Sequence, residues 1–247
     1  EHQPHNFLLI LAIVIAGIIA YSNSFNSSFH FDDIFVSYTL NNFSPDSATL
    51  SEWIHLFPNR PLGILTFAAN YSLNKLDVRG YHLVNLMIHL INAFLVWWLT
   101  FITFATPVMK NAAVSRHKSI IAFLTGLLFV THPLATQSVT YIVQRFASLA
   151  TLFYLLSLIL YIRGRLWEGD RHITFLLFGA SIVAAVCAML TKEIAYTLPF
   201  AVVLYEFFFI KISPWKIDIK NKNLPLIFLL LFIFVFLFLR NFSWDIF

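Results

Sequence analysis

The chain has 247 residues, of which 59% are hydrophobic and only 11% are charged. Because soluble domains carry roughly 25% charged residues, this composition excludes a soluble protein and predicts a chain dissolved in a lipid bilayer. The net charge of +4 is too small to indicate a nucleic-acid partner, and the single cysteine, Cys187, excludes an internal disulfide and a cysteine-rich metal site.

Seven apolar runs approach the ~20 residues that a helix needs to cross a bilayer. They predict an all-α polytopic membrane protein with about seven transmembrane helices in one module, residues 1–247. The runs are Phe7–Tyr21, His82–Phe104, Ser119–Thr131, Phe146–Ile162, Ile173–Leu190, Ile194–Ile210 and Leu224–Leu239. The chain begins with Glu1 rather than Met and stops shortly after the last run, which indicates the N-terminal part of a longer protein.

Loop charges predict the orientation of these helices. Ten of the sixteen Lys and Arg residues fall on loops 105–118, 163–172 and 211–223. Since cytoplasmic loops are enriched in Lys and Arg, these loops are expected on the inner side, and the first span runs outward. Residues 22–81 then form a long first outer loop. Its many aromatic residues argue against disorder and favour short interfacial helices, one of them capped within Asp46–Thr49.

An acidic pair follows the first span. Asp32 and Asp33 are adjacent carboxylates, so one is expected to have a raised pKa or to share a cation with the other. A carboxylate in a cleft facing the membrane can act as a general base toward a hydroxyl. The alternative is a solvated pair that caps a helix.

Four basic or acidic residues are predicted to lie on the same outer side. Arg60 precedes an apolar stretch and suits a phosphate, His132 ends the third span, and Lys192-Glu193 separates two runs that nearly fuse. The ordinary alternatives are a headgroup arginine, a histidine at a helix end and a solvated ion pair in a tight turn.

Polar residues also occur at helical spacing. His82, Asn85, His89 and Asn92 line one face of the second span, where hydrogen bonds between helices account for most of the stripe. Only His82 and Asn85 lie near enough to the outer end to support a site.

Two further segments carry supporting residues. Leu134–Arg145 is predicted to form a short helix bearing Gln137, Gln144 and Arg145. Tyr196 follows the Lys192 turn, and Pro199 is predicted to kink the next span.

Six segments resemble the GT-C membrane glycosyltransferases, in particular the bacterial relatives of the transmembrane and tetratricopeptide-repeat O-mannosyltransferases. They are Tyr21–Phe25, Phe31–Asp33, Asn59–Leu62, Gly80–Asn85, His132–Arg145 and Thr191–Glu193. The resemblance extends over nearly the whole chain, and His132–Arg145 is its most specific part.

This resemblance implies an inverting glycosyltransferase that moves a sugar from a polyprenyl-phosphate donor to a protein hydroxyl. It implies a multi-pass protein of the bacterial inner membrane whose site faces the periplasm. Asp32 or Asp33 would be the base, and the donor phosphate would be held by Arg60, His132, Arg145 and Lys192. No obligatory cofactor is expected, although Asp32 and Asp33 would hold Mg²⁺ or Mn²⁺ if a divalent ion were required.

The chain also departs from the family pattern, which has more spans and a carboxy-terminal repeat region. This departure keeps open a second hypothesis, a non-catalytic membrane subunit that binds a lipid carrier or scaffolds a complex. A transporter ranks last, because the polar residues gather at one end and no internal repeat is visible.

Overall fold

A computed structural model describes residues 4–42, 52 and 60–210, and every regular element in these residues is helical. Eight α-helices are labelled in chain order. They are α1 (Pro4–Tyr21), α2 (Asp32–Asn42), α3 (Pro61–Asn74), α4 (Val78–Thr103), α5 (Lys118–Thr131), α6 (Arg145–Leu166), α7 (Arg171–Met189) and α8 (Leu198–Tyr205). The architecture is therefore all-α, as predicted.

Five helical segments among the described residues are long and apolar enough to cross a membrane, which agrees with a membrane protein. They are Val78–Thr103, Ala113–Thr131, Ile142–Leu166, Arg171–Met189 and Glu193–Ile210. The first predicted run forms a shorter apolar helix, Asn6–Tyr21. The run at Leu224–Leu239 and the cap at Asp46–Thr49 lie outside the described residues.

Local sequence signals explain several helix starts. Asp77 and Asp170 cap α4 and α7, since each carboxylate accepts a hydrogen bond from the backbone N–H two residues on. Pro61 begins α3, where its missing N–H costs nothing. Helices α2 and α3 both lie within the predicted first loop, residues 22–81.

Two predicted features take a different form. The Leu134–Arg145 segment is not one helix, because the extended Tyr141 separates the turn Gln137–Thr140 from the 3₁₀ turn Ile142–Gln144. Pro199 does not kink a helix but lies in the first turn of α8, the position that proline tolerates.

Helix α4 is the centre of the bundle, and its polar stripe joins it to its neighbours. His89 Nε2 lies 3.2 Å from the Val130 carbonyl of α5, and Asn92 donates to the Ser148 carbonyl of α6 at 2.8 Å. The predicted role of this stripe in joining helices is therefore correct.

The bundle has two distinct ends. Segments after α1, before α4, between α5 and α6 and between α7 and α8 meet at one end, called the Tyr21 end. The opposite end, called the Lys118 end, contains the loop between α4 and α5 and the end of α6. There Val108 donates to the Phe209 carbonyl, and Arg165 pairs with the buried Glu206.

Candidate functional site

Asp33 is the buried member of the acidic pair. Its side chain has 0% exposure, and its carboxylate accepts hydrogen bonds from the backbone N–H groups of Val143 at 2.6 Å and His30 at 3.4 Å. Burial raises the pKa of Asp33, while the N–H donors and nearby His30 oppose the rise. Asp33 therefore fastens the start of α2 to the 142–144 turn, and both of its oxygens are engaged.

Asp32 has the opposite environment. It is exposed in the first turn of α2, and its backbone N–H donates to the Tyr141 hydroxyl at 3.2 Å. The Tyr141 ring stacks on His30 with centroids 5.1 Å apart. Of the two carboxylates, Asp32 is thus the one open to an incoming hydroxyl. The pair also begins a helix, as the alternative interpretation expected.

The residue before this pair is strained. Phe31 has a φ of +49°, a left-handed conformation that non-glycine residues rarely adopt, and its side chain is 81% exposed. Such conformations persist where surrounding contacts hold them, and they cluster at functional sites. Here the Asp33 hydrogen bonds hold the turn that presents Asp32.

Arg60 and Glu193 form a second polar group. Arg60 Nε and Nη2 donate to the two carboxylate oxygens of Glu193, each at 3.0 Å, with both side chains partly exposed. The Arg60 guanidinium also lies over the Phe146 ring, 5.6 Å from its centroid. Among the described residues, no hydrogen bond engages Arg60 Nη1, so this nitrogen can donate to another acceptor.

Lys192 adds a second cation to this group. Burial lowers the pKa of Lys192, the nearby Arg60 lowers it further, and Glu193 raises it. Among the described residues, Lys192 has no carboxylate at ion-pair distance. The group formed by Arg60, Lys192 and Glu193 contains two cations and one carboxylate. It therefore carries a net positive charge and favours a bound anion.

The acidic pair and the cation group meet on one stretch of chain. Asp33 binds the N–H of Val143, and Arg60 covers the ring of Phe146, three residues further on. Residues three apart on a helical segment have Cβ atoms about 5–6 Å apart. One carboxylate of the acidic pair, Asp33, and one cation of the second group, Arg60, therefore approach the same short segment at the Tyr21 end.

Arg145 lies between them in sequence but inside the protein. It is fully buried, and its guanidinium donates to four neutral oxygens, from Asn85, Asn70, Tyr81 and Thr66, at 2.7, 2.8, 3.0 and 3.3 Å. The rings of Phe67 and Tyr81 also contact it. With four hydrogen bonds and no exposed surface, Arg145 joins α3, α4 and α6, and its predicted contact with a lipid phosphate stays a prediction.

His82 and Asn85 contact backbone carbonyls of the loop and turn around the acidic pair. The two ring nitrogens of His82 lie 2.9 Å from the Ser27 carbonyl and 3.2 Å from the Val139 carbonyl. Asn85 donates to the Ile142 carbonyl at 3.2 Å. Both side chains are fully buried, so they position the loop and turn that carry the acidic pair.

The remaining predicted residues contribute less directly. The exposed His132 caps the Pro133–Thr136 turn, since its Nδ1 accepts from the Leu134 N–H at 3.2 Å, so the helix-end interpretation describes it well. Gln137 is exposed in the following turn. Tyr196 packs against the buried Ala188, Met189 and Ala195.

Two residues of this region could not be singled out from the sequence. Tyr141 contacts Asp32 because the helix breaks there, and Asn70 accepts from Arg145 inside an otherwise apolar stretch. The sequence offered one signal for each: Tyr141 is an aromatic residue in His132–Arg145, the most specific segment of the resemblance, and Asn70 is a polar residue in an apolar run.

The acidic pair fits a divalent metal poorly. Within residues 4–42, 52 and 60–210, no cluster of three His, Cys, Asp or Glu side chains could hold a metal ion. Asp33 also directs both oxygens toward N–H donors, whereas Mg²⁺ needs about six oxygen ligands. We therefore derive no step through a metal.

Comparison with known proteins gives a consistent relationship. The chain is 30% identical over 233 residues to Protein O-mannosyl-transferase Tmtc3 of Drosophila melanogaster, an alignment that covers 82% of this chain and 24% of that protein. It is 30% identical over 208 residues to Protein O-mannosyl-transferase TMTC2 of Homo sapiens, covering 78% and 23%. For human TMTC1 the identity is 33% over 156 residues, covering 60% and 16%.

No family model and no solved structure matches the chain. The chain spans about a quarter of the length of the first two relatives. Over most of its own length, it is therefore similar to a part of proteins that are named protein O-mannosyl-transferases.

Proposed function

We propose that this chain contains the catalytic end of a membrane glycosyltransferase. In this proposal a sugar moves from a polyprenyl-phosphate donor to a protein hydroxyl on the extracytoplasmic side, with inversion at the anomeric carbon. The observation behind this proposal is that Asp33, next to the exposed Asp32, binds Val143, while Arg60, paired with Glu193 beside Lys192, covers Phe146 three residues further on. The similarity to protein O-mannosyl-transferases supports the transferase class.

Asp32 is the base in this proposal. Its carboxylate takes the proton of the acceptor hydroxyl as that oxygen bonds to the anomeric carbon and the bond from that carbon to the phosphate oxygen breaks. The electron pair leaves with the phosphate, and attack opposite the leaving group inverts the carbon. Asp33 is a positioning residue, because it holds the α2 start against Val143.

Lys192 and Arg60 hold the donor phosphate. As the phosphodiester is cleaved, its charge grows from about −1 toward −2. Preorganised cations lower the barrier when they face charge that develops in the transition state. Glu193 keeps the Arg60 guanidinium in place through two hydrogen bonds, so Nη1 and the Lys192 ammonium serve the phosphate.

Replacement of Asp32 tests this assignment. In the protein expressed in its natural full-length form, Asp32→Asn should reduce acceptor glycosylation by about 10²–10⁴-fold while polyprenyl-phosphate binding stays unchanged. Asp77→Asn is a matched control, because Asp77 is another carboxylate of the first loop that caps α4. Unchanged transfer by the Asp32 variant would remove the base and favour the alternative, a non-catalytic subunit that binds a lipid carrier.

A further inference from the structure

The Lys118 end contains two neighbouring basic cavities. One has a volume of about 620 Å³ and is lined by Lys110, Arg116 and Lys118. The second, of about 300 Å³, shares Lys110 with the first and adds Arg163 and Arg165. Ligand pockets typically measure about 300–1,000 Å³, so each cavity is large enough for a headgroup.

Within the part of the chain that the structure describes, most of these cations have no carboxylate at ion-pair distance. Arg165 is neutralised by the buried Glu206, and Glu168 lines the smaller cavity. Lys110, Arg116, Lys118 and Arg163 are exposed, and none has a carboxylate at ion-pair distance among the described residues. Counting only residues 4–42, 52 and 60–210, the larger cavity therefore combines three positive charges without an ion-pair partner and has no acidic lining residue.

The loop that forms the larger cavity is folded by its own hydrogen bonds. Thr106 is fully buried, and its carbonyl accepts from the Lys110 N–H at 2.9 Å. The Ser115 hydroxyl donates to the Met109 carbonyl, and Lys118 Nζ lies 5.0 Å from the Phe101 ring centroid. An excess of positive charge alone would orient the protein in a membrane but would not require a folded cavity.

The position of the cavity indicates which class of ligand it binds. It lies where α4 ends at Thr103 and α5 begins at Lys118, that is, where two candidate spans leave the bilayer. Lipid phosphates lie at this depth, and basic pockets between spans recognise acidic headgroups. We infer that the Lys110–Lys118 cavity binds the headgroup of an anionic phospholipid.

Lipid titration of the intact chain tests this inference. In detergent, the chain should bind fluorescent phosphatidylglycerol at least about tenfold more tightly than phosphatidylcholine, and Lys110→Gln/Arg116→Gln/Lys118→Gln should abolish that preference. Ala113→Trp should also weaken binding, because Ala113 lines the cavity and the change leaves every charge in place. Unchanged melting temperatures would show that both variants fold.

A charge-matched control separates the cavity from general attraction. Lys216→Gln/Lys220→Gln/Lys222→Gln removes the same three charges from another segment and should alter binding by less than about twofold if the cavity is specific. An equal loss in this control would overturn the inference. Displacement of the lipid by an equal concentration of inorganic phosphate would also overturn it, since the site would then take a free anion.

Discussion

The Asp33 carboxylate and the Val143 backbone N–H, separated by 110 residues in sequence, lie 2.6 Å apart. This hydrogen bond holds the start of α2 against the turn that leads into α6. It leaves the adjacent Asp32 exposed, so two neighbouring carboxylates have different environments.

Asp33→Asn should alter the pH dependence of stability. Burial raises the Asp33 pKa, so between the ordinary value of about 3.9 and the raised value the folded state binds more protons than the unfolded state. Stability should therefore fall as pH rises through this window and stay constant above it. Asn cannot titrate, so the melting temperature of the variant, measured against pH, should no longer fall through this window. This pH-dependent fall is the slope that the measurement compares.

Asp32→Asn serves as the comparison for that measurement. Asp32 is exposed, so its replacement should leave the slope in place. The same slope in wild type and the Asp33 variant would show that Asp33 is not the group responsible.

Arg145→Gln should destabilise the protein strongly. The change removes the charged donor from the Asn70 and Asn85 oxygens and from two carbonyls, and hydrogen bonds to charged groups contribute about 1.5–3 kcal/mol each. Thermal unfolding in detergent should show a loss of several kcal/mol. Arg60→Gln, at a partly exposed ion pair, should cost no more than about 1 kcal/mol. A stable Arg145 variant that loses only phosphate binding would support the prediction that Arg145 is a ligand.

Gly63→Ala should displace the Phe146 ring that lies beneath the Arg60 guanidinium. An added Cβ would collide with the Phe146 ring, which Arg60 covers. We expect about 1–3 kcal/mol of destabilisation and weaker polyprenyl-phosphate binding. Gly179→Ala is the matched control, because its Cβ would meet nothing within 4 Å. Equal behaviour of the two variants would show that Phe146 does not support the site.

Phosphate affinity should depend on the protonation of Lys192. Burial and Arg60 lower its pKa below the ordinary value of about 10.4, and an anion favours the charged form. Affinity should therefore be constant at low pH and fall as pH rises through the lowered pKa. Lys192→Arg should flatten this decline, since a guanidinium stays protonated. A binding profile with the same decline in both proteins would assign the titration to another group.

Five of the seven predicted spans correspond to helical segments that are long and apolar enough to cross a membrane, because an apolar run can be recognised without tertiary information. Val78–Thr103, for example, differs from the predicted His82–Phe104 only at its ends. The helix begins at Val78, earlier than the predicted His82, because Asp77 caps it. A hydropathy pattern does not detect such a cap.

The roles of individual charged residues could not be predicted in this way. Whether Arg145 is buried depends on Asn70 and Asn85, which lie 75 and 60 residues earlier in the chain. The distinction between Asp32 and Asp33 likewise depends on Val143. Loop charges predicted that the polar segments lie at one end of the bundle. Only the contacts of each side chain show which charged residues are buried and which are exposed.

Comparison of two lipids tests the central proposal most directly. We predict that the chain binds polyprenyl phosphate at least about tenfold more tightly than the uncharged polyprenol, since hydrogen bonds to a charged group contribute about 1.5–3 kcal/mol. Lys192→Gln should abolish this preference, whereas Lys75→Gln, on the same loop as Arg60, should preserve it. Equal affinity for the two lipids, or an unchanged preference in the Lys192 variant, would contradict a phosphate site beside the aspartates.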